Sequence, residues 1–186
     1  MRDRTDKILD VAIELAEKGG FDNVRQRDVA AAAGVALGTL YKRFRSKEDL
    51  LAAVLAREVE RLATKLDKRP AEGATIPDRV GAFFVIATQH LCRRPRVAHA
   101  MMRAVASGVP EIASKVTAYQ GRMAGLLITA MRSGQTTERE MTYVFMLLQL
   151  WFSCLVGWSA NLFAQSSIDD QMRRAAHVLA KGLDVA

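Results

Sequence analysis

The feature that most constrains the fold is a run of 28 residues, 141–168, that contains no Asp, Glu, Lys, Arg or His. A helix of this length could cross a bilayer, so the run indicates either a membrane span or a helix enclosed by protein. Gln149, Ser153, Gly157 and Asn161 recur at every fourth position, which places a polar and small-residue stripe on one helical face. Polar side chains are costly in lipid, and no Lys/Arg cluster flanks the run closely. We therefore predict a helix buried on nearly every side by protein, and no membrane partner.

The rest of the chain also has helical patterning. It has only four prolines in 186 residues, and β-branched residues dominate no stretch, which favours an all-α fold without strands. Apolar residues at helical spacing predict about nine helices, at about 4–18, 26–33, 37–44, 47–66, 78–92, 96–106, 111–133, 137–163 and 169–183. Gly19 and Gly20 are predicted to end the first helix, and residues 165–167 to form the break before the last. Ser46 and Asp49 are predicted to cap the fourth helix as a capping box.

Two short helices joined at Gly34 carry most of the functional information. A tight glycine-containing turn between the helices 26–33 and 37–44 is the sequence pattern of a helix-turn-helix. Val29, Val35, Leu40 and Phe44 are expected to point inward and set the angle between the helices. The chain has a net charge of +7, and residues 25–47 contribute six basic side chains against one acidic one. A focused positive charge on a helix-turn-helix predicts double-stranded DNA as a partner.

The segment 35–50, VALGTLYKRFRSKEDL, resembles the signature of the TetR family of transcriptional regulators. The resemblance implies a DNA-binding domain over residues 1–47 and a helical effector-binding and dimerisation domain over 48–186. It also implies a homodimer that reads a near-palindromic operator and responds to a small ligand. Two positions depart from the family pattern: Ala36 replaces the usual hydroxyl residue at the start of the recognition helix, and Arg25 stands where Thr is frequent. Loss of a helix cap costs about 1 kcal/mol, so we expect the helix after Ala36 to become fully ordered only on DNA.

The resemblance assigns DNA contacts to particular residues of the helix-turn-helix. Tyr41 and Lys47 match positions that grip phosphate, and Lys47 also lies in the first helical turn, where free N–H groups favour an anion. Thr39 matches a position that reaches the DNA backbone or a base edge. Lys42 and Arg43 are candidates for guanine or phosphate contact, the alternative being a solvated basic surface. The remaining predicted DNA contacts are Arg25, Gln26 and Arg27 at the start of the first helix of the motif, and Leu37, which contacts either a thymine methyl group or the packing beneath the recognition helix.

The C-terminal part of the chain is rich in large apolar side chains that predict an effector pocket. Methionine adapts to irregular cavities, which suits a pocket that rearranges on ligand binding, although helical spacing also makes most of these residues core. The residues predicted to line the pocket are Phe83, Phe84, Met101, Met102, Met123, Leu127, Phe145 and Trp151.

Arg93, Arg94, Arg96 and Arg103 concentrate positive charge beside this predicted pocket. One interpretation is a solvated basic surface near the DNA-binding domain. The other is a binding site for an anionic group such as the phosphates of an acyl-CoA. The segments 36–41 and 94–104 also resemble one branch of the TetR family, the actinobacterial repressors of cholesterol catabolism. The large apolar side chains of the predicted pocket indicate a bulky hydrophobic effector, a steroid or a long acyl chain, that releases the repressor from DNA. The arginine cluster and this resemblance together imply that the effector is a CoA thioester.

The two C-terminal helices predict a dimer interface, because small residues permit close approach and the resembled family pairs these helices across a twofold axis. The residues assigned to that interface are Ser153, Gly157, Ala160, Ala176 and Leu179.

Enzyme chemistry has little support in the sequence. His90, Cys92 and His99 have no fourth donor at metal spacing, and there is no GxSxG, HExxH or phosphate loop. We therefore predict no enzyme activity, no metal and no cofactor, the alternative being a soluble helical ligand-binding protein or enzyme without DNA function. The N-terminus has no apolar signal core, and Cys92 and Cys154 form no disulfide pattern, so we expect a cytoplasmic protein.

Overall fold

The computed structural model describes residues 4–132, 134 and 136–183, and within them the chain is all-α. Nine α-helices and one short 3₁₀ turn, Pro110–Ile112, account for the regular structure of these residues. The helices are α1 (Arg4–Asn23), α2 (Gln26–Ala33), α3 (Leu37–Arg43), α4 (Lys47–Lys68), α5 (Ile76–Cys92), α6 (Pro95–Val105), α7 (Ala113–Met131), α8 (Glu138–Ser159) and α9 (Gln165–Leu183). The predicted fold class is confirmed.

The chain divides into two compact units, and the division differs from the predicted boundary at residue 47. Unit 1 contains the residues up to Glu58 together with Arg93–Ala118, and unit 2 contains Val59–Cys92 and the residues from Tyr119 onward. The segment 93–118 returns to unit 1 because α6 packs against α1. Helical periodicity shows which face of α6 is apolar, but it does not show which neighbour that face will cover.

Unit 1 is built around α1. This helix packs against α2 and α6, and α2 packs against α3. The apolar stripe of α1 is buried, with Ile8 and Ala12 at 1% and 0% exposure. Gly19 and Gly20 have non-helical backbone angles, and Gly20 takes a positive φ of +67°, a conformation that glycine adopts without steric cost. The predicted end of the first helix is therefore a kink, after which the chain makes one more short helical stretch to Asn23.

Unit 2 is held together by α5 and α8, each of which packs against α9. The helix α8 buries Tyr143, Leu147 and Trp151 on one face. The Tyr143 hydroxyl donates a hydrogen bond to the Ala176 carbonyl of α9 at 2.8 Å. The Trp151 indole N–H donates to the Thr88 hydroxyl of α5 at 2.9 Å. Both polar atoms are therefore satisfied inside an apolar core.

Several helix ends differ from the sequence prediction. The last helix begins at Gln165, so the predicted break at 165–167 is wrong and those residues form its first turn. The chain turns earlier, at Asn161, which has a positive φ of 61°. The Leu162 amide then donates to the Gly157 carbonyl at 3.0 Å, a bond typical of a helix terminus. The predicted helix 111–133 is α7, and Ser133 itself lies outside the described residues.

The helix α8 is the one helix among the described residues with the length and hydropathy of a membrane span. Only 44% of its apolar window is buried, so the prediction that it is enclosed on nearly every side is wrong. The hydrogen bonds of Tyr143 and Trp151 place its buried face in the core of unit 2. Its other face exposes Met141, Phe145 and Met146 at 48%, 63% and 44%. One such helix is weak evidence for a membrane span, since a core helix of a soluble protein has the same composition.

Candidate functional site: a basic helix-turn-helix and an apolar core

The turn between α2 and α3 has the geometry that the sequence predicts. Gly34 ends α2 in the left-handed conformation, with a φ of +68°, and the Val35 amide donates to the Ala30 carbonyl at 3.0 Å. Val29 and Leu40 are fully buried and Phe44 is 4% exposed. These three side chains fix the angle between the helices, so α2 and α3 form a helix-turn-helix.

The outer face of α3 presents the predicted DNA contacts to solvent. Thr39, Tyr41, Lys42 and Arg43 are exposed, with Tyr41 at 48%. A Cβ placed at Gly38 would meet no described atom within 4 Å, so this face is also unobstructed. Ala36 is the N-cap, and no side-chain hydrogen bond caps the helix. This surface has the size and chemistry that the major groove accepts.

The start of α2 contains one predicted DNA contact that already has an internal role. The Gln26 side-chain amide donates to the Phe44 carbonyl at 2.8 Å, which joins the beginning of α2 to the end of α3. Arg25 and Arg27 on either side are exposed. Leu37 is half-buried at the beginning of α3, so it combines packing with partial access to the outer face.

The connection between α3 and α4 is braced by the predicted cap. The Asp49 amide donates to the Ser46 hydroxyl at 3.0 Å, which confirms Ser46 as the cap of α4. The return bond differs from a standard capping box, because the Asp49 carboxylate accepts from the Arg45 amide at 3.0 Å. Asp49 is buried and forms an ion pair with Lys115 of α7. The sequence does not predict this role of Lys115, because the two residues are 66 positions apart and no local motif links them.

Lys47, the predicted phosphate contact, is half-buried beside the kink of α1. Its Nζ lies 4.0 Å from the centre of the Phe21 ring and 3.8 Å from the nearer carboxylate oxygen of Asp22. Its side chain is 31% exposed. Lys47 therefore remains accessible, but it has partners of its own inside unit 1.

The four arginines of the segment 93–103 all bind acceptors of unit 1. Arg93 pairs with the buried Glu58 at 2.7 Å, and Arg94 pairs with Glu17 at 3.5 Å. A guanidinium nitrogen of Arg96 donates to the Lys18 carbonyl at 2.8 Å, and one of Arg103 donates to Asp22 at 2.9 Å. The first interpretation of this cluster, a polar corner of the DNA-binding part, accounts for all four contacts without a ligand.

The predicted pocket residues are divided between the two units. Met101 and Met102 are buried in unit 1, on α6. Phe83, Phe84, Met123, Leu127 and Trp151 are buried in unit 2 at 1% exposure or less. The structure therefore brings the second group together in one core, but it places the methionine pair of α6 in the other. Phe145 is 63% exposed on α8, so it does not line an interior pocket and its assignment is wrong.

The aromatic residues of unit 2 form one connected cluster. The rings of Phe83 and Phe84 meet edge to face at 5.3 Å between centroids, and Phe84 contacts Trp151 at 5.6 Å. A narrow cavity of about 10 Å³ lies between α7 and α8, lined by Tyr119, Gln120, Met123, Leu148, Gln149, Trp151 and Phe152. A cavity of this volume accepts about one water-sized group. Any larger ligand would have to separate the packed side chains.

Tyr119 is one of three polar residues that line this cavity, with Gln120 and Gln149, and the sequence does not indicate its role. It is 8% exposed, and burial raises the pKa of its phenol, as the charge of nearby Cys92 also would. Burial likewise raises the pKa of the Cys92 thiol to about 12, so the thiol stays protonated at neutral pH and is not a nucleophile. The described residues contain no group of three or more His, Cys, Asp or Glu side chains that could hold a metal ion.

The residues predicted to form a dimer interface differ in how exposed they are. Ser153 and Ala160 are exposed and Leu179 is half-buried. Gly157 and Ala176 are buried within the protomer, so their assignment to an interface is wrong. A Cβ at Gly157 would lie 2.8 Å from the Phe163 ring, and the Ala176 carbonyl accepts the Tyr143 hydroxyl. These small residues allow contacts inside the protomer instead.

The two parts of the chain match two family models. The model described as bacterial regulatory proteins, tetR family, matches residues 8–54. The model described as tetracyclin repressor-like, C-terminal domain, matches residues 73–179.

Individual relatives match along the whole chain. The HTH-type transcriptional repressor KstR of Mycobacterium tuberculosis is 31% identical over 185 residues, covering 100% of this chain and 84% of the repressor. KstR of Rhodococcus jostii is 31% identical over 178 residues, covering 96% and 83%. A crystal structure of a TetR transcriptional regulator from Rhodococcus sp. RHA1 has a TM-score of 0.86 at 30% identity, with 96% of each chain covered.

A more distant structure shares the fold. FadR from Bacillus subtilis, solved in complex with stearoyl-CoA, has a TM-score of 0.62 at 18% identity, covering 92% of this chain and 96% of its own. The helix-turn-helix geometry, the two family models and the relatives lead to one conclusion: this chain belongs to the TetR family of bacterial DNA-binding transcriptional regulators.

Proposed function

We propose that the protein is a cytoplasmic, homodimeric repressor that binds a near-palindromic operator and leaves it when a bulky apolar effector enters unit 2. The observation that carries the DNA-binding part is the outer face of α3, where Thr39, Tyr41, Lys42 and Arg43 are exposed above a buried Leu40. The similarity to KstR, a transcriptional repressor, supports repression and argues against an enzyme role.

On DNA, we assign phosphate contacts to Tyr41 and Lys47 and base or phosphate contacts to Lys42 and Arg43. Thr39 and Leu37 are assigned to the groove, and Arg25 and Arg27 to the backbone beside it. Gln26 is assigned mainly to the bond with Phe44, because its amide N–H group is already engaged there. Two recognition helices related by a twofold axis would then read successive major grooves about 34 Å apart.

The dimer interface is proposed on the exposed apolar face of α8. Met141, Phe145, Met146 and Leu150 are exposed at 48%, 63%, 44% and 37%, and the α9 residue Val178 is exposed at 69%. A cluster of large apolar side chains on a soluble protein marks an interaction surface. Ser153, Ala160 and Leu179 remain candidates for the same interface, because their side chains are at least partly exposed.

The effector site is proposed between α7 and α8, where Tyr119, Met123 and Trp151 line the narrow cavity. The surrounding Phe83, Phe84 and Leu127 supply apolar area, and the Tyr119 hydroxyl supplies one polar group for orientation. Ligand pockets in proteins enclose about 300–1,000 Å³, so effector binding has to open this core. That requirement supports a ligand response, since a ligand that binds only the opened form shifts the protein towards it.

The effector class is proposed from the surface it would cover and from the resemblance to repressors of cholesterol catabolism. A steroid or a long acyl chain with one polar end matches a cavity whose lining combines apolar side chains with the polar groups of Tyr119, Gln120 and Gln149. An additional seat for CoA phosphates at the segment 93–103 has less support, because all four arginines already bind acceptors in unit 1.

Selection of operator DNA from random duplexes, followed by displacement with defined ligands, tests the proposal. The ligands are cholestenoic acid, stearic acid, the CoA thioester of each, and tetracycline as a small polar control. We expect a selected site with twofold symmetry, and release by the steroid or acyl compounds at micromolar concentration. Failure to select any duplex would overturn the DNA-binding assignment, and release by tetracycline alone would overturn the effector class.

A further inference from the structure

Two cations of unit 1 share the same pair of partners at the kink of α1. Lys47 Nζ lies 4.0 Å from the Phe21 ring centre, and the Arg103 guanidinium carbon lies 4.3 Å from it. Arg103 donates to one oxygen of Asp22 at 2.9 Å, and Lys47 lies 3.8 Å from the other. Lys47 comes from the first turn of α4, whereas Arg103 comes from the last turn of α6.

The shared partners are held in place by the backbone around them. Gly20 takes a positive φ immediately before Phe21, and the Asn23 side chain donates to the Leu15 carbonyl at 2.9 Å immediately after Asp22. The backbone therefore places the ring and the carboxylate, whose side chain is 75% exposed, as one acceptor site that both cations approach. Because the site carries one negative charge, each cation reduces the attraction that the other experiences.

Of the two cations, Arg103 makes the stronger contact with Asp22. Its contact with Asp22 is a short hydrogen bond between charged groups, while the Lys47 contact at 3.8 Å is an ion pair without hydrogen-bond geometry. Lys47 can thus exchange Asp22 for a DNA phosphate at little cost while Arg103 neutralises the carboxylate. Without Arg103, Asp22 would have Lys47 as its remaining cation and would compete with the phosphate for it.

We infer that Arg103 is a positioning residue for DNA binding, which acts by neutralising Asp22 and so releasing Lys47 to the phosphate backbone. The inference rests on the proposed phosphate contact of Lys47. It assigns to an arginine of α6 a part in DNA affinity that needs no contact between Arg103 and DNA.

A double-mutant cycle separates this role from a direct contact. The variants are Arg103→Gln, Asp22→Asn and the combination of both, with Arg96→Gln as the matched control. Arg96 is also on α6 and also exposed, but it donates to the Lys18 carbonyl and not to a carboxylate. Affinity is measured on the selected operator and on a random-sequence duplex of about 40 bp over a series of KCl concentrations, because phosphate contacts are independent of sequence.

We expect Arg103→Gln to weaken binding to both duplexes about threefold beyond the Arg96→Gln control, as befits an exposed ion pair. Asp22→Asn should strengthen binding by a similar factor. In the Asp22→Asn background, Arg103→Gln should have no effect beyond the control. The salt slope of Arg103→Gln should fall towards that of Lys47→Ala, a change that a purely structural role of Arg103 would not cause.

Equal effects of Arg103→Gln in both backgrounds would overturn the inference and indicate that Arg103 contacts DNA directly. No effect in either background would also overturn it. Arg103→Lys keeps the cation and should restore wild-type binding, which separates loss of charge from loss of folding. If the wild-type protein binds neither duplex, the proposed function itself fails. If the wild-type protein binds DNA but the variants show no coupling between Arg103 and Asp22, only the role of Arg103 is contradicted.

Discussion

At the scale of single residues, several basic side chains of unit 1 already have acidic partners inside the protein before any phosphate binds. Arg57 contacts Asp10 at 2.9 Å, Arg93 contacts Glu58 at 2.7 Å, and Lys47 lies beside Asp22 at 3.8 Å. The net positive charge of a DNA-binding surface is therefore a poor guide to which cations are available. Availability depends on the exposure and partner of each side chain.

Lys47→Ala should lower DNA affinity equally for all sequences and reduce the salt dependence of binding. Each lost phosphate contact reduces the slope of log affinity against log salt concentration by about one unit. A dimer with two DNA-binding domains should therefore lose about two units. Titration of a fluorescent operator at several KCl concentrations measures both quantities. Arg61→Ala, on the exposed surface of the same helix, is the control. An unchanged slope would show that Lys47 stays with Phe21 and Asp22 on DNA.

Arg93→Gln should destabilise the fold more than Arg94→Gln, although the two arginines are neighbours in sequence. Glu58 is 5% exposed and would lose its 2.7 Å ion pair with Arg93, which costs about 1–3 kcal/mol of unfolding free energy. Arg94 and Glu17 are both exposed, so loss of that pair costs about 0–1 kcal/mol. Urea unfolding of the two variants measures the difference. Equal stabilities would contradict a structural role for Arg93 and reopen its assignment to a ligand.

At the scale of secondary-structure elements, α3 is expected to be the least stable helix of the DNA-binding surface. It has seven residues, its N-cap is Ala36, and Leu40 is its buried residue. Isolated helices of this length are unstable in water, so α3 depends on its contacts with α2 and on its caps. A short uncapped recognition helix is expected to gain order when phosphates and base edges bind it.

Ala36→Ser should stabilise α3, because a serine hydroxyl at the N-cap can accept a hydrogen bond from the amide of Gly38, or share that of Thr39, which already donates to the Ala36 carbonyl at 2.9 Å. The expected gain is about 1 kcal/mol, seen in urea unfolding and as slower amide exchange in residues 38–41. Ala32→Ser is the matched control, because Ala32 is exposed inside α2, where serine replaces a better helix former. The cap explanation is contradicted if exchange in α3 is the same in the two variants.

The sequence predicts elements well and their partners poorly. In α4, Leu50, Val54 and Leu62 are fully buried, as their helical spacing predicts, because periodicity shows which face of a helix is covered. Met101 and Met102 are buried as the same rule predicts, but their helix α6 packs against α1 of unit 1, and no local sequence pattern shows that pairing. Phe145 fails for a related reason, because α8 is apolar on two faces and only one of them lies in the protomer core.

The candidate site shows the same difference between what local sequence motifs predict and what only the folded chain shows. Motif positions such as Tyr41 and Arg43 can be assigned from sequence, because the family signature is local. The acceptors of Lys47, Arg93 and Arg103 come from distant segments and are found only in the folded chain. Small residues such as Gly157 are ambiguous in sequence, since close approach inside a protomer and between protomers requires the same residue type.

At the scale of the whole molecule, the exposed face of α8 predicts the oligomeric state. Phe145→Glu should convert the dimer into a monomer at about 10 µM, because a charge in an apolar interface would be desolvated without a partner. Light scattering or sedimentation velocity gives the mass directly. Thr64→Glu, at an exposed position of α4, should leave the mass unchanged. A monomeric wild-type protein, or a dimeric Phe145→Glu variant, would contradict the interface on α8.

At the proposed effector site, an effector would have to open a core that is closed around a cavity of about 10 Å³. An effector that buries about 400 Å² of apolar surface gains about 10 kcal/mol at about 25 cal/mol per Å², before the costs of association and of opening. Several kcal/mol can remain to shift the protein away from its DNA-binding form. The apparent affinity of the effector is therefore set jointly by its apolar area and by how readily α7 and α8 separate.

Gln120→Phe should block this response while leaving operator binding intact. Gln120 is half-buried on the lining of the cavity, and a phenyl ring there would fill the space that the effector must enter. We expect at least a roughly tenfold higher ligand concentration for release from the operator, because overpacking a core costs about 1–3 kcal/mol. Gln89→Phe makes the same chemical change at an exposed position of α5 and should respond like the wild type. Anisotropy of labelled operator during titration with stearic or cholestenoic acid measures the release, and an unchanged midpoint for Gln120→Phe would place the effector outside the α7–α8 cavity.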